Sequence, residues 1–296
     1  MSAPEVARIV ACNNKLGECA TWSVADRALY WTDIEGKAVW RHDPATGDSL
    51  CWPAPDRVGS FALCGGDRFL LALPTSVVLW HPQRGVERVV AAAMPGQAAG
   101  TRLNDGRCDR QGRFVVGGFD ETTRAPIASL WRVERDGTVT TLVDGGIVCA
   151  NSTCFTADGA TMYFADTPQR SIVAYDYDAA PGTQLGRMRQ LTDFAEQPGR
   201  PDGSTVDAEG YVWNAQVFGH RIVRYAPDGR VDRVVEVPME NPTSVSFGGP
   251  DLDVLYVTSL SRSKAIPDWK PGPDDGCIHA FRPGVRGLPE PLFAGA

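Results

Sequence analysis

Short apolar and aromatic runs recur along the chain, each followed after a turn by a second run of the same kind. Ala28-Leu-Tyr-Trp-Thr-Asp33 leads into Ala38-Val-Trp-Arg-His-Asp-Pro44, and Arg68-Phe-Leu-Leu-Ala-Leu73 into Val77-Val-Leu-Trp-His-Pro82. Arg113-Phe-Val-Val-Gly117 leads into Ser129-Leu-Trp-Arg-Val133, and Thr161-Met-Tyr-Phe-Ala-Asp166 into Ser171-Ile-Val-Ala-Tyr-Asp176. Tyr211-Val-Trp-Asn214 leads into Arg221-Ile-Val-Arg-Tyr225, and Leu255-Tyr-Val-Thr258, after a longer connection, into Cys277-Ile-His-Ala-Phe281. Aromatic and β-branched enrichment, near period-2 alternation and Gly, Pro and Asp punctuation identify these runs as strands. No window sustains the apolar i, i+3, i+4 face of a helix. Six units at a period of roughly 40–50 residues match the blade of a β-propeller. The pattern therefore predicts an all-β, six-bladed β-propeller with four-stranded antiparallel blades, a single domain over residues 1–296. A two-sheet sandwich would lack the six-fold recurrence. Ser261–Gly276, rich in Pro, Asp and Lys, reads as a long inter-strand loop over one face.

Ahead of most of these strands stands an acid or an amide. The stretches are Leu16-Gly-Glu18, Arg102-Leu-Asn104, Asn151-Ser-Thr, Arg200-Pro-Asp202 and Asn241-Pro-Thr. The innermost strands of a propeller surround its channel, so residues at one end of them converge although far apart in sequence. Glu18, Asn104, Asn151 and Asp202 are thus expected to form a ring of oxygen atoms at one mouth of the channel. Carboxylates and amide oxygens in a confined site suit a hard or borderline divalent cation, whose charge also offsets the repulsion of paired carboxylates. Asn104-Asp105-Gly106 and Asp202-Gly203 read alternatively as turns, whereas Glu18 has no turn preference.

Composition narrows the partners. The 296 residues hold Lys+Arg 29 against Asp+Glu 36, a net charge of -7 without a basic cluster, which excludes a nucleic-acid partner. No apolar run approaches the roughly 18–20 residues of a membrane span. Met1 to Val10 lacks the charged start and long apolar stretch of a signal peptide, so a cytoplasmic protein, monomer or small homo-oligomer, is expected. Eight cysteines are scattered without a C-x-x-C pair or a zinc-site spacing and read as reduced thiols, with Cys149–Cys154 or Cys12–Cys19 as the alternative bridges. His42, His81, His220 and His279 fall in outer strands or turns and supply no ligand. G-x-S-x-G, H-E-x-x-H, P-loop and Rossmann signatures are absent.

Several of the same stretches resemble the senescence-marker-protein/gluconolactonase/regucalcin family of six-bladed propeller lactonases. They are Leu16-Gly-Glu-Cys-Ala-Thr-Trp22, Tyr30-Trp-Thr-Asp-Ile-Glu-Gly36, Arg102-Leu-Asn-Asp-Gly-Arg-Cys-Asp109, Asp158-Gly-Ala-Thr-Met-Tyr-Phe-Ala-Asp166 and Pro201-Asp-Gly-Ser-Thr-Val-Asp207. The resemblance implies that Glu18, Asn151 and Asp202 ligate one divalent cation (Ca, Zn, Mn, Mg or Fe) and that Arg102, Asn104 and Glu121 contact a hydroxylated substrate. It implies metal-dependent hydrolysis of a sugar lactone to its aldonic acid, with Asp202 as general base. Two alternatives stay open: a propeller hydrolase of phosphotriesters or aryl esters, and a non-enzymatic calcium-binding regulatory propeller. Three stretches depart from the family pattern. Glu18-Cys-Ala20 replaces Glu-Gly-Pro or Glu-Cys-Pro, Ala150-Asn-Ser152 replaces Ser-Asn-Gly, and Gly117-Gly-Phe-Asp-Glu-Thr122 replaces Gly-Thr-Met.

Overall fold

The apolar runs form strands, and in the computed structural model these strands group into six four-stranded blades, the six-bladed β-propeller predicted from the repeats. The structure describes residues 4–177, 180, 184–262 and 267–295. The start of the N-terminal segment and part of the Ser261–Gly276 loop lie outside the described residues. Helix is confined among them to a single 3-10 turn, Thr167–Gln169. Among the described residues no helix is long and apolar enough to cross a membrane.

The paired runs are the second and third strands of each blade. Ala28–Asp33, Thr161–Asp166, Ser171–Asp176 and Arg221–Tyr225 coincide with the sequence-predicted segments. The first strands are Gly17–Ser23, Ser60–Gly65, Thr101–Cys108, Ala150–Phe155, Arg200–Val206 and Pro242–Gly248, in blades 1 to 6. The fourth strands are mostly exposed, as in Met188–Asp193 and Val231–Glu236, and leave little hydrophobic signal. Blade 6 obtains its fourth strand from the other end of the chain, where Ala7–Val10 pairs antiparallel with Ile278–Phe281.

The chain divides into two compact units. Met1–Trp52 with Phe194–Glu290 holds blades 1, 5 and 6, and Pro53–Asp193 with Pro291–Ala296 holds blades 2, 3 and 4. In both, the middle strands are apolar on both faces. Phe114 and Val116 of blade 3 pack with Leu70 and Ala72 of blade 2, while Val115 between them packs with Phe155 and Met162 of blade 4. In the other unit, Leu255 and Val257 of blade 6 join Trp213 and Val235 of blade 5, and Tyr256 between them joins Trp22 and Trp31 of blade 1. The period of two is present, but it sorts one apolar face from another. Each such side chain contributes about 1.5–3 kcal/mol on full burial. Phe293 near the C-terminus closes the blade 2–3 core, its N–H bonded to the Leu63 carbonyl at 2.8 Å.

Five of the six first strands, all but that of blade 2, share an irregularity. Their pairing slips between Glu18 and Thr21, Leu103 and Gly106, Asn151 and Cys154, Pro201 and Ser204, and Pro242 and Val245. Each slip is a bulge that re-aims the side chains within it. In blades 1 and 4 the residue after the acid or amide is left-handed, Cys19 at φ 54° and Ser152 at φ 62°. In blade 5 that place is taken by Gly203, where a Cβ would lie 2.9 Å from the Ser244 Cα. Asn104-Asp105-Gly106 and Asp202-Gly203 are accordingly strand segments, and the turn alternative falls.

All eight cysteines are thiols, so neither candidate bridge forms. Burial pushes the Cys12 and Cys64 thiols up to about 12. Between the first and second strands of blade 5, the fully buried Asp207 accepts the Glu209 and Tyr211 N–H groups on Oδ1 at 2.9 and 3.0 Å. Its Oδ2 accepts from Trp213 Nε1 at 2.9 Å and Arg224 Nε at 2.8 Å. Asp207→Ala strands these donors and is expected to lower unfolding free energy by about 3 kcal/mol in urea denaturation. Ser152→Gly should stay within about 1 kcal/mol of the wild type, whereas Ser152→Val should cost about 2 kcal/mol or more, because a β-branched residue fits poorly at positive φ. Equal midpoints for the two Ser152 variants would contradict the backbone assignment.

Candidate functional site

In the unit holding blades 2 to 4, four of the sequence-predicted residues form one hydrogen-bonded chain. Glu121 follows the second strand of blade 3 and receives Arg57 Nη1 at 2.7 Å on Oε1 and Arg102 Nε at 3.2 Å on Oε2. Burial works against its negative charge, but the Arg102 and Arg57 charges outweigh it and hold its pKa below the usual carboxylate range. Arg102, buried on the first strand of the same blade, lies with Cζ 4.9 Å from the Phe119 ring centroid. Its Nη1 donates to the Leu103 carbonyl at 3.0 Å and to Asn104 Oδ1 at 2.6 Å. Among the described residues, Arg102 Nη2 has no hydrogen-bond partner.

Arginine can only donate, so the contact with Arg102 assigns the Asn104 amide: oxygen toward the arginine, nitrogen away. That nitrogen donates to the Ala150 carbonyl at 2.8 Å and reaches Asn151 Oδ1 at 3.4 Å. The Asn151 nitrogen in turn donates to Thr167 Oγ1 at 2.8 Å, which turns the Asn151 oxygen toward the Asn104 side. Ser60 Oγ, on the first strand of blade 2, donates to the Asn104 carbonyl at 2.6 Å. Neighbouring bulge residues have other work, since Asp105 Oδ2 accepts the Thr153 N–H at 2.8 Å and ties blade 3 to blade 4.

In the other unit, Glu18 is partly buried and Asp202 buried; Glu18 is the last paired residue before the slip of blade 1, and Asp202 the first residue inside that of blade 5. The first strand of blade 6 lies beside both first strands. Ser244 on it accepts the Ala20 N–H at 3.3 Å on Oγ, and the Asp202 carbonyl accepts Asn214 Nδ2 at 3.1 Å.

The entry to two of these strands is clamped in the same way. Asp33 accepts the Lys15 and Leu16 N–H groups at 3.1 and 3.0 Å, just ahead of Glu18. Asp166 accepts the Val148 and Cys149 N–H groups at 3.2 and 2.8 Å, just ahead of Asn151. Burial raises the Asp166 pKa against the opposing effect of those two donors. Both aspartates end a second strand, in Tyr30-Trp-Thr-Asp33 and Tyr163-Phe-Ala-Asp166, and this repeated ending was the available sequence signal. Arg57, Ser60 and Thr167 carried none. The histidines stay apart from these groups; His279, for example, pairs with Asp274 at 3.1 Å.

Among the described residues, no group of three or more His, Cys, Asp or Glu side chains is gathered for a metal ion. The expected ligand set differs in kind, two carboxylates and one amide oxygen, and is oxygen-only, as hard cations prefer.

Comparison with known proteins bears on the same stretches. The 6-deoxy-6-sulfogluconolactonase of Pseudomonas putida is 37% identical over 285 residues, 95% of each chain. The L-arabinolactonase of Azospirillum brasilense is also 37% identical over 285 residues, 95% of this chain and 93% of its own. Among solved structures, regucalcin from Agrobacterium tumefaciens strain C58, described as a calcium-binding protein, superposes with a TM-score of 0.87 at 28% identity, covering 99% of this chain and 97% of its own. The SMP-30/Gluconolactonase/LRE-like region matches residues 16–261, which takes in every bulge and every candidate residue described above. The chain belongs to the SMP-30/gluconolactonase/LRE-like family.

Proposed function

We propose that this protein hydrolyses a sugar lactone to its aldonic acid, using one divalent cation held by Glu18, Asn151 and Asp202. The observation that carries the reading is the repeated bulge: Glu18 and Asn151 border it and Asp202 lies within it in their blades, and all three offer oxygen. The sugar-lactonase names of relatives that share 37% of their residues over 95% of this chain support the reaction class. The calcium-binding description of a solved relative supports the cation.

When bound, a divalent cation supplies Lewis acidity toward a carbonyl oxygen and makes a neighbouring water more acidic. The protein's own residues do the rest. Asp202 takes the proton of the attacking water as general base. Arg102 offers its unengaged Nη2 to the ring hydroxyls or to the developing oxyanion. Asn104 and Glu121 belong to the substrate side chiefly by holding Arg102, because their side-chain oxygens already accept its N–H groups. A lactone suits such a modest apparatus, since its leaving alcohol stays tethered. The family match runs through both compact units, which supports one functional domain over the whole chain.

Acid release from glucono-, arabino- and xylonolactone, followed in a pH-stat with EDTA and then Mn²⁺, Zn²⁺ or Ca²⁺, tests the reading. Turnover should vanish with EDTA and return with a cation, and Glu18→Ala and Asp202→Ala should each lose at least about 100-fold in kcat. Full turnover in metal-free protein overturns it. Cation binding without turnover of any lactone would instead identify a binder, and turnover of a phosphotriester or aryl ester alone would identify another hydrolase. Arg102→Ala should mainly raise KM. Thermal unfolding should show one transition whose calorimetric and van't Hoff enthalpies agree, while two transitions would separate the units.

A further inference from the structure

The side chains that hold Asn151 lie within one unit. A primary amide can exchange its nitrogen and oxygen by a half-turn about its last torsion, and only oxygen can face a cation. The order is set from one end by Arg102, which donates to Asn104 Oδ1 at 2.6 Å and thereby directs the Asn104 nitrogen toward Asn151. A flipped Asn151 would set one NH₂ group against another. At the far end, Thr167 Oγ1 accepts the Asn151 nitrogen at 2.8 Å. The two ends of the Asn151 amide are unequally bound, because among the described residues its oxygen receives only the long 3.4 Å contact from Asn104.

We propose that Thr167 is a positioning residue, anchoring the Asn151 nitrogen so that the amide oxygen is the atom presented to a divalent cation. The proposal rests on the reading of Asn151 as a ligand. Thr167 is well placed to be rigid. It opens the 3-10 turn ahead of Pro168, its own N–H bonds the Cys149 carbonyl at 3.0 Å, and Asp166 beside it grips the backbone entering the Asn151 strand. One short turn therefore fixes the strand and the amide together. Donation from the amide nitrogen also polarises the amide and raises the negative charge on its oxygen, which strengthens a hard-cation ligand. Thr167→Val removes the acceptor at nearly constant volume, and Thr167→Ser retains it. The other hydrogen-bond partner of the Asn151 nitrogen, Cys149 Sγ at 3.7 Å, is too weak an acceptor to substitute.

The test is calorimetric titration of the full-length, metal-stripped protein with Mn²⁺. Thr167→Val should bind about 10-fold more weakly than the wild type, with Thr167→Ser within about twofold. Thr167→Ala serves as a second variant without the hydroxyl and should resemble Thr167→Val. In metal-free protein, the Asn151 side-chain ¹⁵N–H₂ signals, assigned by their loss in Asn151→Asp, should exchange with solvent faster in the Val and Ala variants than in the wild type or the Ser variant. Unchanged Mn²⁺ affinity in Thr167→Val and Thr167→Ala, with binding still lost in Asn151→Ala, overturns the role of Thr167 alone. Binding that survives Asn151→Ala, or no binding by the wild type, overturns the ligand reading and the proposal with it.

Discussion

The middle strands of each blade carry apolar side chains on both faces, and a sheet of that kind has no face to turn toward water. Blade 3 shows the consequence, since Phe114 and Val116 are buried on the blade 2 side and Val115 on the blade 4 side. Blade 6 repeats it with Leu255 and Val257 on one side and Tyr256 on the other. A lone blade would leave both surfaces exposed at roughly 25 cal/mol for each Å². Each blade therefore requires neighbours, and the closing strand Ala7–Val10 and the terminal Phe293 complete sheets and cores at the ends of the chain.

Burial on both faces also encloses the polar residues of the first strands, and enclosed polar groups need partners. The bulges meet that need by sending consecutive side chains in different directions. Asn104 turns toward Arg102 and Asn151, while Asp105 beside it is spent on the Thr153 N–H. The cost is local backbone strain at Cys19 and Ser152, which hold positive φ without being glycine. At Ser152, where the family resemblance leads to the expectation of glycine, the left-handed geometry is kept without the residue that eases it.

Precision at the site comes from side chains that hold the backbone and one another in place. Asp33 and Asp166, each ending a second strand, hold the two N–H groups just before Glu18 or Asn151 comes into register. Glu121 holds Arg102 together with Arg57, and the chain from Arg102 through Asn104 to Asn151 leaves each amide one orientation. Rigid support of this kind fixes the side chains that the proposed cation would need as ligands.

The sequence by itself determined the number of blades and the second and third strands of each, because hydrophobic period and motif recurrence are local properties. It did not show the exposed fourth strands, whose polar surfaces lack that period, or the N-terminal strand, whose partner lies at the other end of the chain. The family resemblance implied a substrate contact for Glu121, and the structure adds that both its oxygens are held by arginines. Tertiary structure alone decided which atom of each amide faces which neighbour. Arg57 and Glu121 are 64 positions apart and Asn151 and Thr167 are 16 apart, so nothing in a local window relates them. Hydrogen bonds join specific atoms at fixed distance and direction, and only the folded chain sets both.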